Sequence, residues 1–161
     1  QTLLAPQEYD LKDFIMPVDE NARGSFAESV QTLQGLVFIL DDNIELAKQQ
    51  FQSVLEKTDN PMSKTISQLY LLQITLIEGD NKKAEEYASI RGVKSFLSIK
   101  TADMQVIQAW YQFKVKKDVV QTHKAMKIAR QKMNSSRMLR DEKIYYQNWL
   151  AELEKELTEG V

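Results

Sequence analysis

Residues 24–57 read GSFAESVQTLQGLVFIL, then Asp41-Asp42, then NIELAKQQFQSVLEK, and this pair of stretches sets the pattern for the chain. In the first, Phe26, Val30, Leu33, Val37 and Leu40 recur at alternating four- and three-residue steps, the spacing of a helix with one apolar face, which predicts a helix over 22–40 with those side chains inward. Gly35 interrupts it. A Gly inside a helix costs about 1 kcal/mol relative to Ala, so its presence predicts a neighbouring helix too close for a side chain. Asp42, with Glu45 three residues on, is expected to cap a second helix, 44–57, whose inner side carries Ala47, Phe51, Val54 and Leu55.

The pattern repeats down the chain. Asn60-Pro61 supplies a capping side chain and a pre-set first helical residue, and Ile66, Leu69, Tyr70, Leu72, Ile74, Leu76 and Ile77 make the following helix apolar nearly all round, as burial on two sides requires. Gly79 is expected to close it in the left-handed conformation. A fourth helix from Asp80 or Asn81 to about Ile90 turns Ala84, Tyr87 and Ala88 inward. Arg91-Gly92 breaks the pattern, and residues 93–100 fit a short turn of helix. Thr101 caps a fifth long stretch with Met104, Ile107, Trp110 or Tyr111, and Val115 on one face. Past Asp118 a sixth takes in Val119, Val120, Ala125, Met126, Ile128, Ala129 and Met133. A closing helix, 137–157, carries Leu139, Tyr146, Trp149, Leu150, Leu153 and Leu157 inward.

Five Gly and three Pro in 161 residues argue against a turn-rich sandwich or barrel. The chain is long enough for one core that buries roughly 70% of its unfolded surface. Residues 1–21, with Pro6 and Pro17 among acidic and scattered apolar residues, are expected to be an extended arm, and 22–161 a single helical domain. No apolar run is long enough to span a bilayer. The absence of Cys excludes disulfides and thiolate sites. That absence, with Gln1 rather than Met in first position, points to an exported or periplasmic protein, a cytoplasmic one being the alternative.

The net charge of −2 conceals an asymmetry. Residues 1–90 hold 7 Lys+Arg against 15 Asp+Glu, residues 91–147 hold 13 against 4, and residues 148–161 hold 1 against 4. Such a dipolar chain favours association with a charged partner or with another copy of itself.

In the first hairpin, Gly35, Phe38, Ala47 and Phe51 fall at the spacing of the small, aromatic, Ala and aromatic positions of the tetratricopeptide repeat family, which residues 22–133 resemble. Ala84 with Ala88 and Ala125 with Ala129 repeat the small-residue spacing of the second helix. Departures are Gln34 for the usual Leu, Val54 for an Ala, Pro61 two residues late, and Leu72 and Phe113 at small-residue positions. The pattern is also compatible with other all-helical repeat families. The resemblance implies an all-α superhelix of about three antiparallel hairpins with a C-terminal capping helix, a concave groove lined in the first hairpin by Ser29, Thr32, Leu36 and Ile39, and a peptide bound there.

No nucleophile with its base, metal-ligand spacing or phosphate-binding loop occurs, so no enzymatic activity, cofactor or metal is expected. His123, the single His, lies in a basic stretch and is expected on the solvated surface. That stretch is the clearest functional signal: Lys114, Lys117, Lys124, Lys127 and Arg130 are the expected partner-binding residues, and their charge selects an acidic protein or peptide. Nucleic acid is disfavoured, because the pI is about 5.5 and the aromatics are needed in the core. The expected function is a protein-interaction module, an adaptor or assembly factor of a bacterial complex; the alternative is a sensor or regulatory domain for a small ligand or signalling peptide.

Overall fold

The computed structural model describes residues 24–134 and 137–159, and every regular element among them is helical. The arm expected over 1–21 lies outside the described residues. The chain is all-α: α1 (Gly24–Leu40), α2 (Ile44–Lys57), α3 (Pro61–Glu78), α4 (Asn81–Ala88), α5 (Arg91–Leu97), α6 (Ala102–Tyr111) continued by a π-helical turn (Gln112–Lys116), α7 (Val119–Met133) and α8 (Arg140–Glu159). They form two compact units divided within α5, after Val93.

In the first unit α1 packs on α2 and α3, and α3 in turn on α4. Gly35 does what its position foretold: a Cβ there would lie 2.5 Å from Cζ of Phe51, so the α1 backbone rests directly on that ring. Phe51 is fully buried and stacks on Tyr70 of α3, with ring centroids 5.4 Å apart. This contact fixes the rotation of α1 and corrects the inner face read from periodicity. Val37 of the expected set is buried, but so are Gln34 and Ile39 outside it, whereas Phe26 is 70% and Leu33 42% exposed.

The α1–α2 turn also differs from expectation. Asp42 is not a helix cap; at φ +60° it is the left-handed residue that closes α1, with its N–H donating to Ile39 O (3.0 Å) and the Asn43 N–H to Phe38 O (2.8 Å). Asn43 takes the N-cap position of α2 without a side-chain bond. Asp tolerates this backbone region better than most residues with a Cβ.

α3 follows its sequence closely. Asn60 Oδ1 accepts from the N–H groups of Met62 (2.8 Å) and Ser63 (3.2 Å), Pro61 opens the helix, and Gly79 at φ +81° ends it while the Asp80 N–H reaches back to Thr75 O. Residues 71–76 are all buried, more than a full turn with no solvent side. The Arg91-Gly92 break turns out to be the start of α5, where a Cβ on Gly92 would meet the Thr65 side chain of α3 at 2.8 Å.

In the second unit α6 packs on α7 and α8. Trp110 and Trp149 stack with centroids 5.4 Å apart, and Trp110 Nε1–H donates to Trp149 O at 3.1 Å. Gln105, buried, uses its Nε2 to cap Leu97 O and Ile99 O at the end of α5. The inner faces of α7 (Thr122, Ala125, Met126, Ala129, Met133) and α8 (Tyr146, Trp149, Leu150, Leu153) complete the core, but Val119 and Val120, assigned to α7's apolar set by sequence, are exposed.

Two substitutions test this account. Gly35→Ala is expected to lower unfolding free energy by about 1–3 kcal/mol, because a buried ring held on its far side by Tyr70 has little room to retreat. Asp42→Gly, by relieving the left-handed backbone, should raise it by up to about 1 kcal/mol. Both are read as shifts in denaturant midpoint at unchanged slope.

Candidate functional site

The basic stretch is laid out by the join between α6 and α7. α6 widens into the π-turn, which ends where Lys117 adopts φ +54° and the Asp118 N–H returns to Gln112 O (2.9 Å). Asp118 then caps α7, its Oδ1 accepting from the Gln121 N–H (3.0 Å). Because π-turns occur often at functional positions, its effect on each nearby side chain matters.

Lys114 is turned into the unit. Its ammonium lies 2.7 Å from Glu156 Oε1 and 5.8 and 5.6 Å from the ring centroids of Trp110 and Phe113. Arg130 is ion-paired with Glu154 of α8. Two of the five expected binding residues are therefore ion-paired with α8 carboxylates. Lys117, Lys124 and Lys127 are exposed and have no ion-pair partner among the described residues.

On α7 the steps Val120, Lys124, Lys127 and Gln131 trace one outward stripe, and all four are exposed. Val120 is 74% and its neighbour Val119 53% exposed. The site is thus an amphiphilic strip with two aliphatic side chains at the first turn and ammonium groups beyond it. His123 lies alongside and is exposed, as expected. Sequence periodicity concealed the two valines, because both fit a helix whose inner face has the same composition.

The expected groove face of α1 is not assembled as foreseen. Ser29 is exposed and Thr32 and Leu36 are half-buried, but Ile39 is fully buried by the rotation that Gly35 imposes. The Thr32 hydroxyl is occupied by Glu28 O at 2.8 Å. Ile39 is accordingly withdrawn from any open surface, whereas Phe26 and Leu33 of the same helix are exposed.

No protein-family model matches the chain. Searches of curated proteins and of solved structures returned no match either. Among the described residues no cluster of three or more His, Asp or Glu could hold a metal ion, and no helix is long and apolar enough to cross a membrane.

The environment of Glu142 in this unit perturbs its ionisation. Burial raises the Glu142 carboxyl above its ordinary range, the Leu139 N–H bond (3.3 Å) opposes the rise, and the charge of Asp103 adds to it. The folded protein therefore binds a proton more readily than the unfolded chain does, so stability falls as pH rises through the raised value. Glu142→Gln, which keeps an acceptor for Leu139, should melt at a higher temperature than the parent near pH 7. The difference should vanish below about pH 4, where both states are protonated.

Proposed function

We propose that the chain is a non-enzymatic protein-interaction module, a tetratricopeptide-like adaptor or assembly factor that binds an acidic protein segment on the outward strip of α7. The observation that carries this reading is the strip itself: exposed Lys117, Lys124 and Lys127 next to Val119 and Val120. Unpaired surface ammonium groups attract an acidic partner over roughly a Debye length and favour fast encounter. The two valines add a short apolar anchor of the kind that holds a peptide once it has arrived.

A protein partner fits this strip better than a nucleic acid does. Binding to single strands draws on exposed aromatic rings for stacking, and Trp110, Tyr111, Tyr146 and Trp149 are buried here. α8 also supplies Glu154 and Glu156 to two of the basic residues, which lowers the local field that a phosphate backbone would meet.

Lys124→Glu with Lys127→Glu reverses two charges on exposed residues, so the fold should persist while binding changes. Affinity capture from source-cell extract with parent and variant baits, quantified by mass spectrometry, is expected to show a set of acidic proteins depleted at least tenfold by the variant. The same set should be depleted by about 0.5 M salt. Capture indifferent to both treatments overturns the assignment of this surface.

A further inference from the structure

α7 carries Lys124, Lys127, Arg130 and Lys132 and no acidic residue over its 15 positions. Arg130 and Lys132 stand in the last turn, where the helix dipole favours cations. Lys124 and Lys127 do not, and three residues apart on one helix they repel each other. No carboxylate among the described residues pairs with either. Val120, Lys124, Lys127 and Gln131 also point directly away from the core. At about 100° per residue, their mean direction is opposite that of the buried Thr122, Ala125, Met126, Ala129 and Met133. The strip is therefore the crest of a helix. It is neither a groove nor a strand edge, so it offers a partner side chains and no backbone hydrogen bonds.

We infer that the occupant of this strip is an acidic helix of another protein, lying antiparallel along α7, with carboxylates at positions i and i+3 and an aliphatic side chain at i+7. The inference rests on the reading of the strip as the site of an acidic partner, and adds the partner's form and direction. A helix matches the crest because residues three and four apart share a face. Read from its C-terminal side, α7 presents Lys127, then Lys124, then Val120, in advances of about 4.5 Å and about 6 Å. A partner helix repeats both steps residue for residue. An extended chain brings side chains to one face only every 6.6 Å or so, which overshoots the Lys pair.

The direction follows from charge. In the antiparallel arrangement the partner's two carboxylates fall at its own N-terminal end, where the helix dipole favours negative charge. Exposed Lys117, just before α7, then comes to the partner's C-terminal end, where a cation is favoured. Parallel packing reverses both effects. The Arg130–Glu154 pair, one turn beyond Lys127, closes the strip on that side, because the exposed Glu154 carboxylate repels further acidic residues.

The probe is a blocked synthetic peptide of about 14 residues, a length at which an isolated helix is marginal in water. It carries Glu, Glu and Leu at i, i+3 and i+7 and no other charge. Added to the full chain, it should gain helical circular dichroism, and it should bind Lys124→Glu with Lys127→Glu about tenfold more weakly than the parent. The chain has no Cys, so Gln131→Cys and Gln121→Cys, both at exposed positions, each take a single nitroxide label. The label on Gln131→Cys should broaden NMR signals at the peptide's N-terminal end, and the label on Gln121→Cys those at its C-terminal end. Exchanged broadening, or binding without a gain of helix, overturns this inference alone and leaves the acidic-partner reading standing. Binding that the charge reversal does not weaken overturns both. No binding to the full chain also overturns the inference; if binding emerges once residues 1–21 are deleted, the strip belongs to the chain's own N-terminus. Self-association of the parent that the charge reversal abolishes overturns it too, and assigns the strip to a second copy.

Discussion

The Phe51 ring, pressed between the bare backbone of Gly35 and the face of Tyr70, is the contact on which the first unit depends. It joins three helices through one side chain that is fully removed from water. Burial of such a ring contributes about 1.5–3 kcal/mol, but its larger effect is geometric. With no Cβ at Gly35, α1 approaches until its backbone touches the ring, and only one rotation of α1 allows that. Ile39, one turn beyond Gly35 on the same side, is fully buried, while Phe26 and Leu33 on the other side of the helix are exposed.

The second unit solves the same problem with indoles. Trp110 and Trp149 stack, and the Trp110 N–H donates to the Trp149 carbonyl, so a buried polar group is satisfied where α6 meets α8. That pairing brings α8's acidic side against the basic join of α6 and α7. Glu156 and Glu154 consequently pair with Lys114 and Arg130 at the surface, and the basic residues left without an ion pair among those expected to bind are Lys117, Lys124 and Lys127, beside two exposed valines. The electrostatics of this unit follow from aromatic packing, since a salt bridge between exposed side chains contributes little by itself and forms where the helices already lie close.

The α7 strip combines exposed ammonium groups of Lys117, Lys124 and Lys127 with the exposed side chains of Val119 and Val120. Charge of this kind is felt over roughly a Debye length and is screened by salt, whereas the contact of an aliphatic side chain is short-ranged and much less sensitive to it.

Much of the helical order was legible in the residues. Asn60-Pro61, Gly79, Asp80 and Asp118 mark ends through hydrogen bonds made within a few residues, so local chemistry is sufficient to place them. The close approach at Gly35 was legible too, because a Gly in mid-helix has a cost that something must offset. The rotation of α1 was not, since Phe26 and Ile39 are equally apolar and periodicity cannot say which stripe meets Phe51. Nor was the division of the basic residues, because Glu154 and Glu156 lie 24 and 42 residues from Arg130 and Lys114. The sequence by itself determined an all-α chain and the ends of its helices, which depend on short-range backbone bonding. Only the tertiary structure decided which apolar faces remain open and which charges remain unpaired, because both depend on contacts between helices distant along the chain.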